Sequence, residues 1–256
     1  MGYLFDHAWK EERRRLAAME ARFDPFTIQC LESMGAGPGW RCLEVGAGGG
    51  SMAEWLCRRV GSTGLVVATD LETKFVEAIE APNLEVRRHD IAREPLEERA
   101  FDLVHARKVV EHLADPAPAL ARMYGSLRPG GWLFLEDADM VSLRQVKGIP
   151  EERFVHGYQA FLETMRLAGF DPSLGLRLGD LLRELGARDV EVRGILGEWS
   201  GEDPMWRLTF EKLRPQVQAR GLLTADEIDT FFADLSCPDF RAVTAIHVAA
   251  WGRKPE

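Results

Sequence analysis

Glu44, Gly46, Gly48 and Gly50 stand two residues apart, at the end of the short apolar run Cys42-Leu43-Glu44-Val45. Met52-Ala53-Glu54-Trp55-Leu56-Cys57 then begins a helix. A strand, a glycine loop and a helix in this order let a ligand approach bare backbone, because glycine has no Cβ. The residue types narrow the ligand. A dinucleotide fingerprint reads G-x-G-x-x-G/A, with a small third residue for close helix–strand packing. Counted from Gly46 that place is Ser51, and the spacing is G-x-G-x-G instead. The carboxylate of Glu44 would repel a phosphate and attract an ammonium or sulfonium group. Both features disfavour a nicotinamide oxidoreductase.

Further acids follow in register. Asp70 ends a second apolar run, 24 residues after Gly46. A carboxylate there can accept both hydrogen bonds of a ribose diol. Asp90 ends a third run and can accept from an adenine amino group, while Ile91 packs on the ring. A fourth run ends at Ala106-Arg107, where backbone groups can line a ligand's aliphatic part. Each aspartate also has a plainer reading, as a cap on the helix or loop after it.

With these landmarks the chain resembles the class I S-adenosylmethionine-dependent methyltransferases. Their first motif, Glu/Asp-x-Gly-x-Gly-x-Gly, is matched by Glu44, Gly46, Gly48 and Gly50. Phe101-Asp102-Leu103-Val104, Glu111-His112-Leu113 and Leu127-Arg128-Pro129-Gly130-Gly131 match the family's usual phrasing. The resemblance is close over about 40–140 and loose elsewhere. It implies S-adenosyl-L-methionine as cofactor, with Glu44, Gly46, Ala47 and Gly48 at the methionine end. It also implies Asp70 and Leu71 at the ribose, Asp90 and Ile91 at the adenine, and Arg107 beside the methionyl part. The implied reaction is transfer of a methyl group to a small, apolar or aromatic, natural-product-like acceptor, by in-line displacement. The alternative is a non-catalytic module or partner subunit that binds the same cofactor.

Positioning alone supplies up to about 7–11 kcal/mol in well-oriented reactions. A base adds about 10²–10⁴-fold where the acceptor must lose a proton. His112 follows the fourth strand, and His156 and Tyr158 share a later helical pattern; these three are the candidates for the chemistry. His89, His105 and His247 fall in strand patterns and read as buried structural residues. No cluster has metal-ligand spacing: Glu111-His112 and Asp137/Asp139 stand isolated.

These residues need a scaffold. Strands separated by helical patterns predict a doubly wound, mostly parallel, seven-stranded α/β sheet of the Rossmann-like methyltransferase kind. Strands are expected at 41–45, 65–70, 84–89, 101–106, 132–136, 190–195 and 244–251. The spacing predicts helices at about 51–60, 72–80 and 117–127. A first helix over 8–23 should end at Asp24-Pro25, and a second should cover 26–34. The whole of 1–256 reads as a single domain. Residues 1–25 form an expected lid, with Tyr3 and Trp9 closing over the cofactor. Insertions at about 137–178 and 197–240 form an expected helical cap. Thr224-Ala225-Asp226-Glu227 reads as a capping box.

Composition sets the remaining bounds. The chain is 46% hydrophobic and 29% charged, ordinary for a soluble globular protein. A formal net charge of −9 argues against a nucleic-acid partner. No apolar run approaches the ~18 residues needed to span a membrane. The charged N-terminus is unlike a signal peptide, and four cysteines without a C-x-x-C fit reduced thiols. A cytoplasmic protein with a small-molecule acceptor is therefore expected. The oligomeric state, monomer or homodimer, stays open.

Overall fold

The computed structural model describes residues 8–142 and 144–256. The first long helix is α1 (Glu12–Ser33). An alternation follows: β1 (Arg41–Val45), α2 (Ser51–Val60), β2 (Leu65–Asp70), β3 (Leu84–Arg88), β4 (Phe101–Arg107), α3 (Ala117–Ser126) and β5 (Leu127–Asp139). Next come β6 (Gln145–Lys147), α4 (Glu151–Arg166), α5 (Leu178–Glu184) and β7 (Arg188–Leu196). The chain closes with β8 (Trp199–Ser200), α6 (Pro204–Ala219), α7 (Ala225–Leu235), β9 (Arg241–Val243) and β10 (Ile246–Arg253).

Seven strands form one sheet in the order β3-β2-β1-β4-β5-β10-β7. Neighbours from β3 to β5 pair in parallel, and β10 runs antiparallel to both β5 and β7. Strands buried on both faces read as unbroken apolar runs, as Val66-Val67-Ala68 does. Leu43, Val67, Val104 and Leu133 pack with α3 and α5 on one face; Cys42, Val66 and Phe134 pack with α1 and α2 on the other. Strand order reverses between β1 and β4. That places a crevice beyond their carboxyl ends, where open α/β sheets bind ligands.

Above the crevice sits a cap of α4, α6 and α7 with a small antiparallel sheet, β6-β9-β8. The pattern along the chain does not announce this second sheet, because its strands are only two or three residues long. The capping box is present: Thr224 Oγ1 accepts from the Glu227 amide and the Glu227 carboxylate accepts from the Thr224 amide. The cap's interior is aromatic. Phe154, Tyr158, Phe161, Trp199, Trp206, Phe210, Phe231 and Phe240 form one buried cluster.

Three expectations about elements are corrected. Pro25 does not end α1. A proline inside a helix costs about 3 kcal/mol or more, but this stretch is held from both sides. Phe23 is buried in the cap cluster, Asp24 accepts from Arg107, and Thr27 reaches Glu136. The expected helix at 72–80 is only a 3-10 turn, Val76–Ala78. Asp70 Oδ1 takes the Glu72 amide, and the Asn83 amide group donates to Cys57 and Gly61 carbonyls, so both ends of the short connection are tied elsewhere. Finally, β5 does not stop at Glu136. Pairing with β10 carries it through Asp139.

Candidate active site

Gly46 opens the loop after β1 with φ +68°, the left-handed region that favours glycine. A Cβ there would run into the Val109 side chain. Gly48 has φ +55°, and its amide donates to Asp70 Oδ2 at 2.8 Å. One carboxylate therefore ties the glycine loop to the end of β2. At Gly49 a Cβ would collide with Glu20 and Arg13 of α1. The loop's lack of side chains thus serves the helix above it as well as any ligand.

A cavity of about 600 Å³ begins at this loop. One end is lined by Gly46, Gly48, Asp70, Leu71, Asp90 and Ile91. The other end is lined by Tyr158, Phe161, Trp199, Met205, Trp206 and Phe210 of the cap. Arg107 at the end of β4, Lys108, Glu111 and His112 just after it, and Leu16, Met19 and Phe23 from α1 also line the cavity. The volume lies within the range of small-molecule sites. Asp90 Oδ1 accepts from the Ala92 amide, and Ile91 is buried with an edge on the cavity.

Below the cavity runs a buried charged network. His105 is fully buried on β4, with Nδ1 2.6 Å from Glu44 Oε2 and Nε2 2.9 Å from Glu136 Oε2. Both ring nitrogens face carboxylates, so both donate only if the ring is an imidazolium. Burial alone would drive that proton off. Glu44 and Glu136 outweigh it and hold the pKa up at about 9. Glu136 also accepts from Thr27 Oγ1 at 2.8 Å and faces His247 Nε2 at 3.1 Å. Burial pushes its carboxyl up, but His105 and His247 hold it far below the usual range. His247 is lowered to about 4 by burial, despite Glu136. Its ring stacks on Phe23 at 4.2 Å between centroids. Arg107 completes the floor, donating to Thr27 Oγ1 at 2.8 Å and Asp24 Oδ1 at 2.7 Å.

The residues singled out from sequence fare differently. Gly46, Gly48, Asp70, Leu71, Asp90, Ile91, Arg107, His112 and Tyr158 converge on the cavity. His112 is held neutral: burial, then the charges of Arg15 and Lys108, lower it to about 3. Tyr158 donates to the Thr244 carbonyl at 3.2 Å, and burial raises its phenol. Its ring lies in the cavity wall. His156 is one turn-face away and does not join: its side chain is 61% exposed and pairs with Glu227 at 3.1 Å. Glu44 is turned under the floor to His105, and neither it nor Ala47 lines the cavity. Trp9 lies under the Lys212 ammonium at 5.6 Å, outside the lining. Tyr3 lies outside the described residues. His89, expected to be buried in a strand, sits just past β3, half-buried at the cavity edge.

Sequence reasoning missed Lys108, Val109 and the pair Glu12–Arg15. Glu12 is fully buried, accepting from Arg15 at 2.7 Å and from Lys212 Nζ at 2.7 Å. Its partner Lys212 lies 200 residues on, beyond any local signal. Among the described residues no group of three or more His, Cys, Asp or Glu is placed to hold a metal ion. Among them, too, no helix is long and apolar enough to cross a membrane.

The comparisons with known proteins agree with this geometry. A family model described as a methyltransferase domain matches residues 43–135. A transposon-encoded protein of Streptomyces fradiae is 36% identical over 44% of this chain and 34% of its own length. A ubiquinone biosynthesis O-methyltransferase of Paracidovorax citrulli is 28% identical over 50% of this chain and 56% of its own. The chain thus spans between a third and just over half of these two relatives. A Ralstonia nicotianae protein of the same description is 25% identical over 76% of this chain and 84% of its own. Among solved structures, a Bacillus halodurans protein described as a methyltransferase superposes with a TM-score of 0.59 at 23% identity, covering 89% of this chain and 98% of its own. The matched methyltransferase domain runs from β1 to β5, and the solved structure shares the fold of the whole sheet.

Proposed function

We propose that the protein methylates a small, flat, largely apolar acceptor held under its aromatic cap. The observation that carries this reading is the continuity of the cavity, from the strand-end acids to the tryptophans of the cap. One end has the polarity of a nucleoside site. The other offers aromatic walls, which suit a flat apolar body. In this reading Asp70 and Leu71 hold the ribose, Asp90 and Ile91 the adenine, and Gly46 and Gly48 leave room for the methionine end. S-adenosylmethionine supplies an electrophilic methyl group on a sulfonium. The chain's own part is to bind, orient and exclude water. Arg107 fastens α1 to β4, so the helix closes the cavity over the glycine loop. His112, kept neutral, can orient an acceptor without adding charge. Oxygen is the favoured methylated atom, since relatives matching this chain are described as O-methyltransferases.

The test is calorimetry with S-adenosylhomocysteine, followed by mass spectrometry of a phenol and amine acceptor panel. Micromolar binding and methylated product support the reading. Absence of cofactor-product binding by the folded protein sinks it. Binding without turnover on any acceptor would favour the non-catalytic module.

A further inference from the structure

We propose that β7 is a contact surface for a second copy of this chain, the two copies pairing strand to strand, antiparallel, across a two-fold axis at Val192. β7 is the last strand of the large sheet, and among the described residues only β10 pairs with it. An edge strand presents a row of backbone N–H and C=O groups that another strand can use. Natural edges guard against this by being short, bulged or covered, or by carrying proline or repelling charge. β7 lacks most of these guards. It runs for nine residues and contains no proline. Its irregularity is confined to the start, where Asp189 has φ +50° and the register with β10 slips opposite 188–191. From Glu191 to Leu196 the ladder with β10 is unbroken. Glu191 to Gly194 are exposed in a row, with Val192 47% and Leu196 63% exposed. The opposite edge differs: β3 has five residues, and its Arg87 is drawn aside to Glu97 of the following loop at 3.0 Å.

Charge decides the partner and the register. Side chains alternate in face along a strand, so Glu191 and Arg193 share one face and Val192 takes the other. Within the chain Glu191 and Arg193 pair at 3.1 Å, and Arg193 also lies over the Trp251 ring at 5.0 Å, which holds both side chains in place. They remain 58% and 43% exposed. A second β7, antiparallel about Val192, sets Glu191 opposite the partner subunit's Arg193, and Arg193 opposite the partner subunit's Glu191. The pair within each chain stays closed, because the four groups alternate in sign around a square. On the other face Val192 meets its own copy. Opposite charges placed across neighbouring strands stabilise a sheet and like charges destabilise it.

Neighbouring registers are worse in both directions. An axis at Glu191 opposes two carboxylates, and an axis at Arg193 opposes two guanidinium groups. The charges that would repel a second copy in those registers therefore select the one at Val192. A strand from an unrelated protein carries this alternation only by chance, whereas a second copy carries it by symmetry, as an isologous contact requires. Glu191, Val192 and Arg193 lie outside the cavity lining, so the contact leaves the candidate active site as it is. It stands on its own, apart from the functional reading above.

The experiment is sedimentation velocity of the full chain at up to about 100 µM, where a dimer of micromolar affinity is populated. The wild type should sediment as a dimer at the upper end of that range. Glu191→Arg sets arginine against arginine in both cross-strand pairs and should weaken association at least about tenfold. The double variant Glu191→Arg/Arg193→Glu exchanges the two charges and should restore the dimer. Backbone amides of 190–196 should exchange more slowly with solvent in the wild-type dimer than in Glu191→Arg. Far-ultraviolet circular dichroism should show the same fold in every variant. If Glu191→Arg does not fold, Arg193→Glu takes its place and is read in the same way. A wild type that stays monomeric, a dimer that persists in Glu191→Arg, or a folded double variant that stays monomeric would each overturn the proposal.

Discussion

The two ends of the cavity are built in opposite ways. The end at the strand termini is made of loop residues, and each acid answers a backbone amide: Asp70 holds Gly48 and Glu72, and Asp90 holds Ala92. Below it, charge is packed into the core as the Glu44–His105–Glu136–His247 network. The cap end has almost no charge. Its rings touch one another, with Trp199 and Trp206 stacked at 5.3 Å and Phe161 5.1 Å from Phe231. One end is thus specified by directional hydrogen bonds and the other by shape and area. Hydrogen-bonded geometry fixes one ligand closely. An apolar wall discriminates poorly, about 1–3 kcal/mol per methylene, and its rings can be exchanged without disturbing the other end.

Four outcomes test this contrast. The largest effect is expected at Glu136. Glu136→Ala leaves His105, His247 and Thr27 without their shared buried partner, a change that costs about 3–5 kcal/mol. Urea unfolding with a loss below about 1 kcal/mol would show that the network is not what holds β4, β5 and α1 together.

The same network gives a pH signature. The His105 pKa is raised from 6.5 to about 9, so its contribution is complete below 6.5 and is lost as pH rises through 9. His247 runs the other way. Lowered from 6.5 to about 4, it stabilises above 6.5, and that contribution is lost as pH falls through 4. Unfolding free energy should therefore decline between pH 6.5 and 9, and the decline should be absent in His105→Gln. A flat profile in the wild type would show that His105 is not an imidazolium.

At the cofactor end, Asp70→Ala removes a charge-assisted partner worth about 1.5–3 kcal/mol per hydrogen bond. Calorimetry should show S-adenosylhomocysteine affinity reduced at least about tenfold, with little change at the cap. Unchanged affinity would leave Asp70 a tie for the glycine loop alone.

The smallest effects belong to the cap. Trp206→Phe keeps an aromatic wall and should change acceptor KM by no more than about tenfold, roughly 1.4 kcal/mol. Cofactor-product affinity should stay the same. His156→Ala, at an exposed ion pair worth about 0–1 kcal/mol, should alter neither stability nor kinetics. A loss of cofactor affinity in Trp206→Phe would show that the two ends are coupled.

The short-range part of this protein is legible in its sequence. The glycine loop, the acids ending β2 and β3, the alternation of the core and the capping box at Thr224 all rest on residues within a few positions of one another. Backbone preference and hydrophobic period act over that range. What lies between distant elements is not legible there. Glu44, a natural ligand carboxylate by motif, turns to His105, 61 residues away, because β1 and β4 pair in a register that brings them side by side. Pro25 stays inside α1 because Arg107 and Glu136 grip its neighbours from β4 and β5. His156 and Tyr158 are two residues apart on α4, so they face different sides; only packing against α6 shows which side is the cavity. Lys108 carries no motif at all, and it meets the Phe23 ring of α1 only because the fold brings the end of β4 under that helix. Contacts of this kind depend on the register and facing of elements far apart in the chain, which the tertiary structure alone decides.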